Sequence, residues 1–305
     1  TGEEEIPAEY VKDIWTISKP APSSIRRFTC QLYNGKIYCP ADGGTVMQIY
    51  DIDSNTWTNG ANAPAKAYRY TSQLYNGKIY CPSNLSRSLH IYDIASDTWS
   101  TGASMLIAPI AFCWTSQIYN GKIYCIYSKP TRMGIYDILS NTWSVSGNKP
   151  PDVELTTSQL YNGKIYCPTN NGAEIHIYDI ASNRWFVGAN APATVYRATS
   201  QLYNGKIYCP ENVGTAMHIY DIALDEWTTG APAPASADRR TSQLYNGKMY
   251  CPASGGAMHI YDIESNTWTI GASVPAKTSL LTSALYNGKI YCPVYNGAHT
   301  YIYNS

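Results

Sequence analysis

The chain has 305 residues, with 22 basic and 22 acidic side chains and charged residues at 14% of positions. So weak a field gathers neither nucleic acid nor an anionic membrane surface. No apolar run approaches bilayer length and residues 1–20 lack the basic-then-apolar pattern of a signal peptide, so no membrane insertion is expected. A net charge near zero leaves self-association open, and the start at Thr1 reads as a processed product or an excised domain.

In chain order, the first recognisable segment is Asp13, Ile14, Trp15 and Thr16, followed by Pro20 and Pro22. It looks like the last strand and exit loop of a unit whose first three strands are missing. A repeat then takes over. The string L-Y-N-G-K-I-Y-C begins at Leu32, Leu74, Leu160, Leu202 and Leu285, with variants at Ile118 and Leu244. Successive copies lie 42, 44, 42, 42, 42 and 41 residues apart, the size of a four-stranded propeller blade.

Within each copy Asn-Gly separates two runs rich in Tyr, Ile and Leu, the signal of a tight hairpin. Alternation then opposes Leu32 to Ile37, Gln31 to Tyr38 and Cys30 to Cys39. Leu32, Ile37 and Cys39 share one face and Gln31, Tyr33 and Tyr38 the other, so each blade should stack its aliphatic face on a neighbour's tyrosine face. A third strand ends in Ile-Tyr-Asp, as at Ile49 to Asp51, and a fourth opens with Trp57, Trp99, Trp143, Trp185, Trp227 or Trp268. The seventh copy stops at Ser305 without its outer strand.

These observations predict an all-β chain: a seven-bladed β-propeller of four-stranded antiparallel blades, with the N-terminal strand completing the last blade. The blades fall at about 25–66, 67–108, 109–152, 153–194, 195–236 and 237–277, with 278–305 joined by 10–18, in one domain spanning 1–305. The N-G-K-I-Y hairpin, the Y-D strand end, the Trp about six residues later and the G-A-x-x-P segment resemble kelch repeats over essentially the whole chain. Cys39-Pro40 and its equivalents stand where kelch repeats usually carry a glycine pair. Kelch-like propellers include galactose oxidase and bacterial sialic acid mutarotases, but most are protein-binding platforms, so the resemblance implies a binding module without naming its ligand.

Differences among the seven copies locate the expected ligand surface. The hairpin turn is Tyr-Asn-Gly-Lys in every copy, making one rim nearly uniform. Loops such as Ala41 to Gln48, Ser83 to His90 and Tyr127 to Gly134 differ widely, as do the crossings near 66–70, 106–114 and 277–281. Recognition is therefore expected on that variable rim and at the mouth of the central channel. Arg27, Arg69, Arg197 and Arg239 occupy equivalent positions. Their guanidinium groups suit carboxylates, acidic peptides or sugar acids at the mouth if they point there, or loop carbonyls if they turn inward. Tyr68 and Tyr196 stand beside them, and Phe112 and Trp114 form an apolar sector in the third copy.

Seven of the nine cysteines, Cys39 to Cys292, hold one repeated position and read as small buried hydrophobes. Cys30, opposite Cys39, is open to a free thiol or a strained cross-strand disulfide. His90, His176, His218 and His259 recur before Ile-Tyr-Asp, spread around the ring, so no shared metal and no cofactor is expected. No catalytic motif is visible. The expected function is thus a non-catalytic module recognising protein segments or glycans. The alternative is a structural subunit of a larger extracellular assembly, and a sugar-active kelch-like enzyme is a more distant one. Low charge with abundant Tyr, Asn, Thr and Ser leans toward a secreted or cell-surface protein; unpaired thiols lean toward the cytoplasm.

Overall fold

The computed structural model describes residues 13–84, 86–105, 112–127, 133–146, 154–170, 172–194 and 196–305. Parts of the variable loops singled out above, 106–111 and 128–132, lie outside the described residues, as do residues 10–12 of the N-terminal segment. The strands form seven four-stranded antiparallel sheets, which we number I to VII as blades of a β-propeller. Blade I runs Gln31–Tyr33, Lys36–Pro40, Gly44–Asp51 and Thr56–Ala67 from the innermost strand outward. Among the described residues no helix is long and apolar enough to cross a membrane.

The hairpin follows from its two turn residues. Asn34 and Gly35 both take left-handed backbone, at φ 46° and 70°, and this is the turn whose twist matches a tight antiparallel pair. Gln31 then faces Tyr38, Leu32 faces Ile37 and Tyr33 faces Lys36. Lys36 reaches across to Asp51 at 2.8 Å, and the same pair recurs as Lys78–Asp93 at 2.7 Å. These surface pairs each contribute about 0–1 kcal/mol, so they tidy the uniform rim more than they hold it.

Stability comes from between the blades. Between blades I and II, Tyr38 and Met47 of one pack against Ile79, Cys81 and Tyr92 of the next, with Tyr33, Leu74 and Trp99 at the margin. The aliphatic face thus meets the tyrosine face, as alternation requires. Tyr92 joins the aliphatic side because it sits opposite Ile79 on the neighbouring strand.

Two polar devices fasten neighbouring blades. Trp99 Nε1 donates to the Ala61 carbonyl at 2.8 Å while the Ala61 N–H donates to Asp97 Oδ1 at 2.7 Å, so blade II grips the outer strand of blade I. Trp143 with Asn141 repeats this on Ala103, and Trp268 with Asn266 on Ala231. Nearer the axis, Thr29 Oγ1 meets Ser72 Oγ at 2.7 Å, and equivalent Thr–Ser contacts run on through Thr241–Ser283. The circle closes at Thr282, whose hydroxyl lies 3.2 Å from Cys30 Sγ.

Cys30 therefore stands in a serine column and is not part of a cross-strand disulfide. The hairpin pairing ends at Gln31 and Tyr38, and all nine cysteines are free thiols. Blade VII is completed as expected: Ile14–Ile17 pairs antiparallel with Thr300–Asn304, Trp15 facing Tyr303. Trp15 Nε1 donates to Ala272 O at 2.9 Å and Asp13 Oδ1 accepts from Ala272 N at 2.8 Å, so the N-terminal strand uses the same fastening as the outer strands that carry Trp99, Trp143 and Trp268.

Candidate binding site at the channel mouth

The chain enters the innermost strand of each blade through three residues whose surroundings differ sharply. The middle column contains Arg27, Arg69, Cys113, Leu155, Arg197, Arg239 and Leu280, every one of them 0% exposed. The four arginines do not line the mouth, and the expectation that their forks face a ligand there is corrected. They turn inward because loop carbonyls converge on them. Arg69 Nη1 donates to Ala41 O at 2.7 Å, Gly44 O at 2.9 Å and Ala67 O at 3.2 Å, and its Nη2 meets His90 Nδ1 at 2.8 Å. The guanidinium also lies 5.5 Å from the centre of the Trp99 ring.

Arg239 repeats the arrangement on Glu211 O, Gly214 O, Ala235 O and His259 Nδ1, and Arg197 on Thr169 O, Gly172 O, Ala193 O and His218 Nδ1. Arg27 bonds Val294 O at 2.9 Å, Gly297 O at 2.5 Å and the side-chain oxygen of Gln48. Each arginine thus holds the variable loop of the preceding blade, with carbonyl dipoles in place of a carboxylate partner. Burial beside the cation pushes His90 and His259 down to about 4. Both rings are neutral at pH 7, with Nδ1 accepting and the proton on Nε2.

The next residue of each of these segments faces the axis. Phe28, Tyr70, Trp114, Thr156, Ala198, Arg240 and Leu281, one from every blade, line a cavity of about 310 Å³ together with Glu154, Asn170, Tyr196 and Asn212. Its walls are unlike. On one side Tyr70 stacks on Trp114 at 4.5 Å between centroids and on Phe112 at 6.0 Å, and meets Phe28 at 4.5 Å. Tyr295 adds a further ring 5.0 Å from Phe28. Aromatic contacts of this kind hold one another in place.

The opposite side mixes Ala198, Leu281 and Tyr196 with polar groups, and its charges are largely spoken for. Arg240 Nε donates to Asp238 Oδ1 at 2.9 Å. Glu154 accepts from Asn170 Nδ2 at 3.0 Å, and Asn170 and Asn212 receive the backbone N–H groups of Arg197 and Arg239 at 3.0 and 2.8 Å. At the aromatic edge, Arg26 pairs with Asp42 at 3.2 Å and donates from Nε to Tyr295 Oη at 2.6 Å.

Of the residues picked from sequence, Trp114 and Tyr196 line the cavity and Phe112 backs its aromatic wall. Tyr68 stands on the rim, half exposed, with the Arg26 guanidinium 5.9 Å from its ring centre. Phe28, Tyr70, Thr156, Ala198, Arg240 and Leu281 were not anticipated. Their signal was present: this column differs in every copy, whereas the column before it repeats arginine. The recurring Asp42, Asn84, Asn170 and Asn212, three residues after each cysteine, also went unread. Each catches the backbone N–H that begins the next blade's inner strand.

A second kind of cleft opens on the uniform rim, between Tyr203 and Asn204 of one blade and Asn246, Gly247 and Asp262 of the next, with a volume of about 480 Å³. It recurs between blades I and II. Its residues are the turn residues that the fold itself requires. Among the described residues no group of three or more His, Cys, Asp and Glu is placed to hold a metal ion.

The sequence matches no protein-family model, and no curated protein matches it. In three dimensions the chain is similar to the crystal structure of the computationally designed Ika8 protein, with a TM-score of 0.61 over 93% of this chain and 100% of that one. At 9% identity the likeness concerns the fold alone.

Proposed function

We propose that this chain is a kelch-type propeller that serves as a non-catalytic recognition module, binding a glycan or a segment of protein at the channel mouth on the variable rim. One observation carries this reading: the residues that face the axis there, one per blade, all differ, while the threonine that follows recurs in all seven blades and the arginine that precedes recurs in four. A rigid scaffold of repeated blades that carries a converging set of divergent side chains among divergent loops has the organisation of a binding site. The test is a parallel screen of the wild type and a Tyr70→Ala, Trp114→Ala variant against an oligosaccharide array and a random-peptide display library. Ligands held by the wild type and released by the variant support the reading; ligands held equally by both overturn it.

A second reading, a structural subunit of a larger assembly, draws on the outer strand of blade IV. Arg184–Val187 is a sheet edge on which Phe186 and Val187 are about half exposed, and an apolar edge strand is a template for pairing with another chain. Light scattering over a dilution series separates the two readings, since the module stays monomeric and the subunit does not. A secreted or cell-surface setting is compatible with nine free thiols, because eight of them are buried, and burial pushes Cys30 up to about 11 and Cys81, Cys209 and Cys251 up to about 12, leaving little reactive thiolate at these four.

A further inference from the structure

We propose that the ligand of the mouth is a neutral sugar, with a pyranose ring laid by its C–H face on the Tyr70–Trp114 wall and its hydroxyls turned to Glu154, Asn212 and Arg240. The inference rests on the preceding reading of the mouth as a binding site and narrows it to one chemical class.

Three features point to a sugar. The cavity sets an aromatic wall against Glu154, Asn170, Asn212 and Arg240, which stand among Tyr196, Ala198 and Leu281, and this pairing of ring surface with polar groups matches a molecule with an apolar C–H face and a rim of hydroxyls. The polar wall mixes a carboxylate acceptor, amide groups and guanidinium donors, and a sugar hydroxyl is both donor and acceptor. The volume of about 310 Å³ lies at the small end of the roughly 300–1,000 Å³ range of small-molecule sites, enough for a short oligosaccharide end and small for an extended peptide.

Charge selects the neutral members of that class. Arg26 is held by Asp42 and Arg240 by Asp238, while the other arginines of the inner strands are sealed in the scaffold. Glu154, bonded by the neutral Asn170, adds one negative charge to these balanced pairs. Among the described residues that line the cavity, an acidic sugar or acidic peptide would therefore meet a carboxylate without an uncommitted cation to offset it.

Trp114 gives the test its readout, because the other seven tryptophans stand on the outer strands and it stands at the mouth. Tryptophan emission is followed while the full chain is titrated with neutral di- to tetrasaccharides of the gluco, galacto, manno and N-acetylhexosamine series, with uronic-acid oligosaccharides as a second arm. At least one neutral series should bind and shift the emission. The shift should vanish in Trp114→Phe, and affinity should fall by about ten-fold or more in Tyr70→Ala and less in Glu154→Gln. Binding confined to the uronic acids, or to none of the sugars at millimolar concentration, overturns the inference. Peptides selected by the display library and lost in the Tyr70→Ala, Trp114→Ala variant overturn it too, while leaving the mouth as the binding site. Sugar binding that is indifferent to all three variants overturns both.

Discussion

Arg69 and Tyr70 are bonded neighbours with opposite surroundings. The first is sealed among carbonyl oxygens and a histidine, and the second faces the channel among other rings. Along the inner strands the arginine column repeats because each member performs the same internal task, anchoring the loop of the blade before it. The next column varies because its members face the channel and one another and anchor no loop of the blade before. In a repeat protein, then, sameness among copies marks what the scaffold needs, and divergence at one converging column marks what is free to recognise something else.

Three blades lack the arginine, and each shows what the site demands. In blade III, Cys113 is accompanied by Tyr127, which fills the vacated space, and by Gly134 in the histidine's place. A Cβ at Gly134 would lie 3.2 Å from the Tyr127 ring and 3.1 Å from Trp143, so the glycine and the tyrosine go together. In blade VII, Leu280 packs with Tyr301 and Val294. In blade IV, Leu155 leaves His176 with Glu174, 3.1 Å from its Nε2.

The largest expected effect comes from breaking the arginine column where its partners remain. Arg239→Leu strands Glu211 O, Gly214 O, Ala235 O and His259, and should cost about 3–5 kcal/mol in urea unfolding. Adding His259→Tyr copies the Leu280–Tyr301 solution of blade VII and should recover a measurable part of that loss. A double variant no more stable than the single one would show that the blades do not exchange solutions.

Acid should expose the same column. His90 and His259 fall from an ordinary 6.5 to about 4 in the folded state, so the unfolded chain takes up their protons first. Stability is level above pH 6.5 and declines as the pH falls from about 6.5 to about 4, on the order of 1–3 kcal/mol for each histidine. Gln48 does the histidine's work in blade I, so His90→Gln with His259→Gln should flatten this part of the thermal-stability profile between pH 7 and pH 4. The smallest effect is expected at Cys30. Cys30→Ser restores the Thr–Ser contact found at the other blade junctions and should change stability by about 0.5 kcal/mol or less, measurable as a melting point within about a degree or two of the wild type.

The architecture was legible in the sequence because blade length, hairpin turn and strand alternation are local properties that repeat seven times. Trp15 announced the closing strand for the same reason. The site was legible only to the level of a rim. Arg27 and Phe28 differ by one position along the chain, and which of the two faces the axis depends on the irregular pairing before Gln31, where Arg26 bridges Asp42 outside the regular hairpin. The sequence shows an arginine with a fork of donors; the carbonyls that claim it, at Ala41, Gly44 and Ala67, come from loops that share no pattern. The varied column was visible throughout, and its divergence was the better guide to the mouth than the chemistry of the arginines.

The division of labour between adjacent columns is tested most directly by urea unfolding of Arg69→Leu beside Tyr70→Ala, each at pH 7. Arg69→Leu should lose about 3–5 kcal/mol for its stranded carbonyls and histidine, and Tyr70→Ala about 1 kcal/mol for its ring contacts at the cavity wall. Equal losses, or a Tyr70→Ala chain less stable than Arg69→Leu, would contradict the assignment of one column to the scaffold and the other to the mouth.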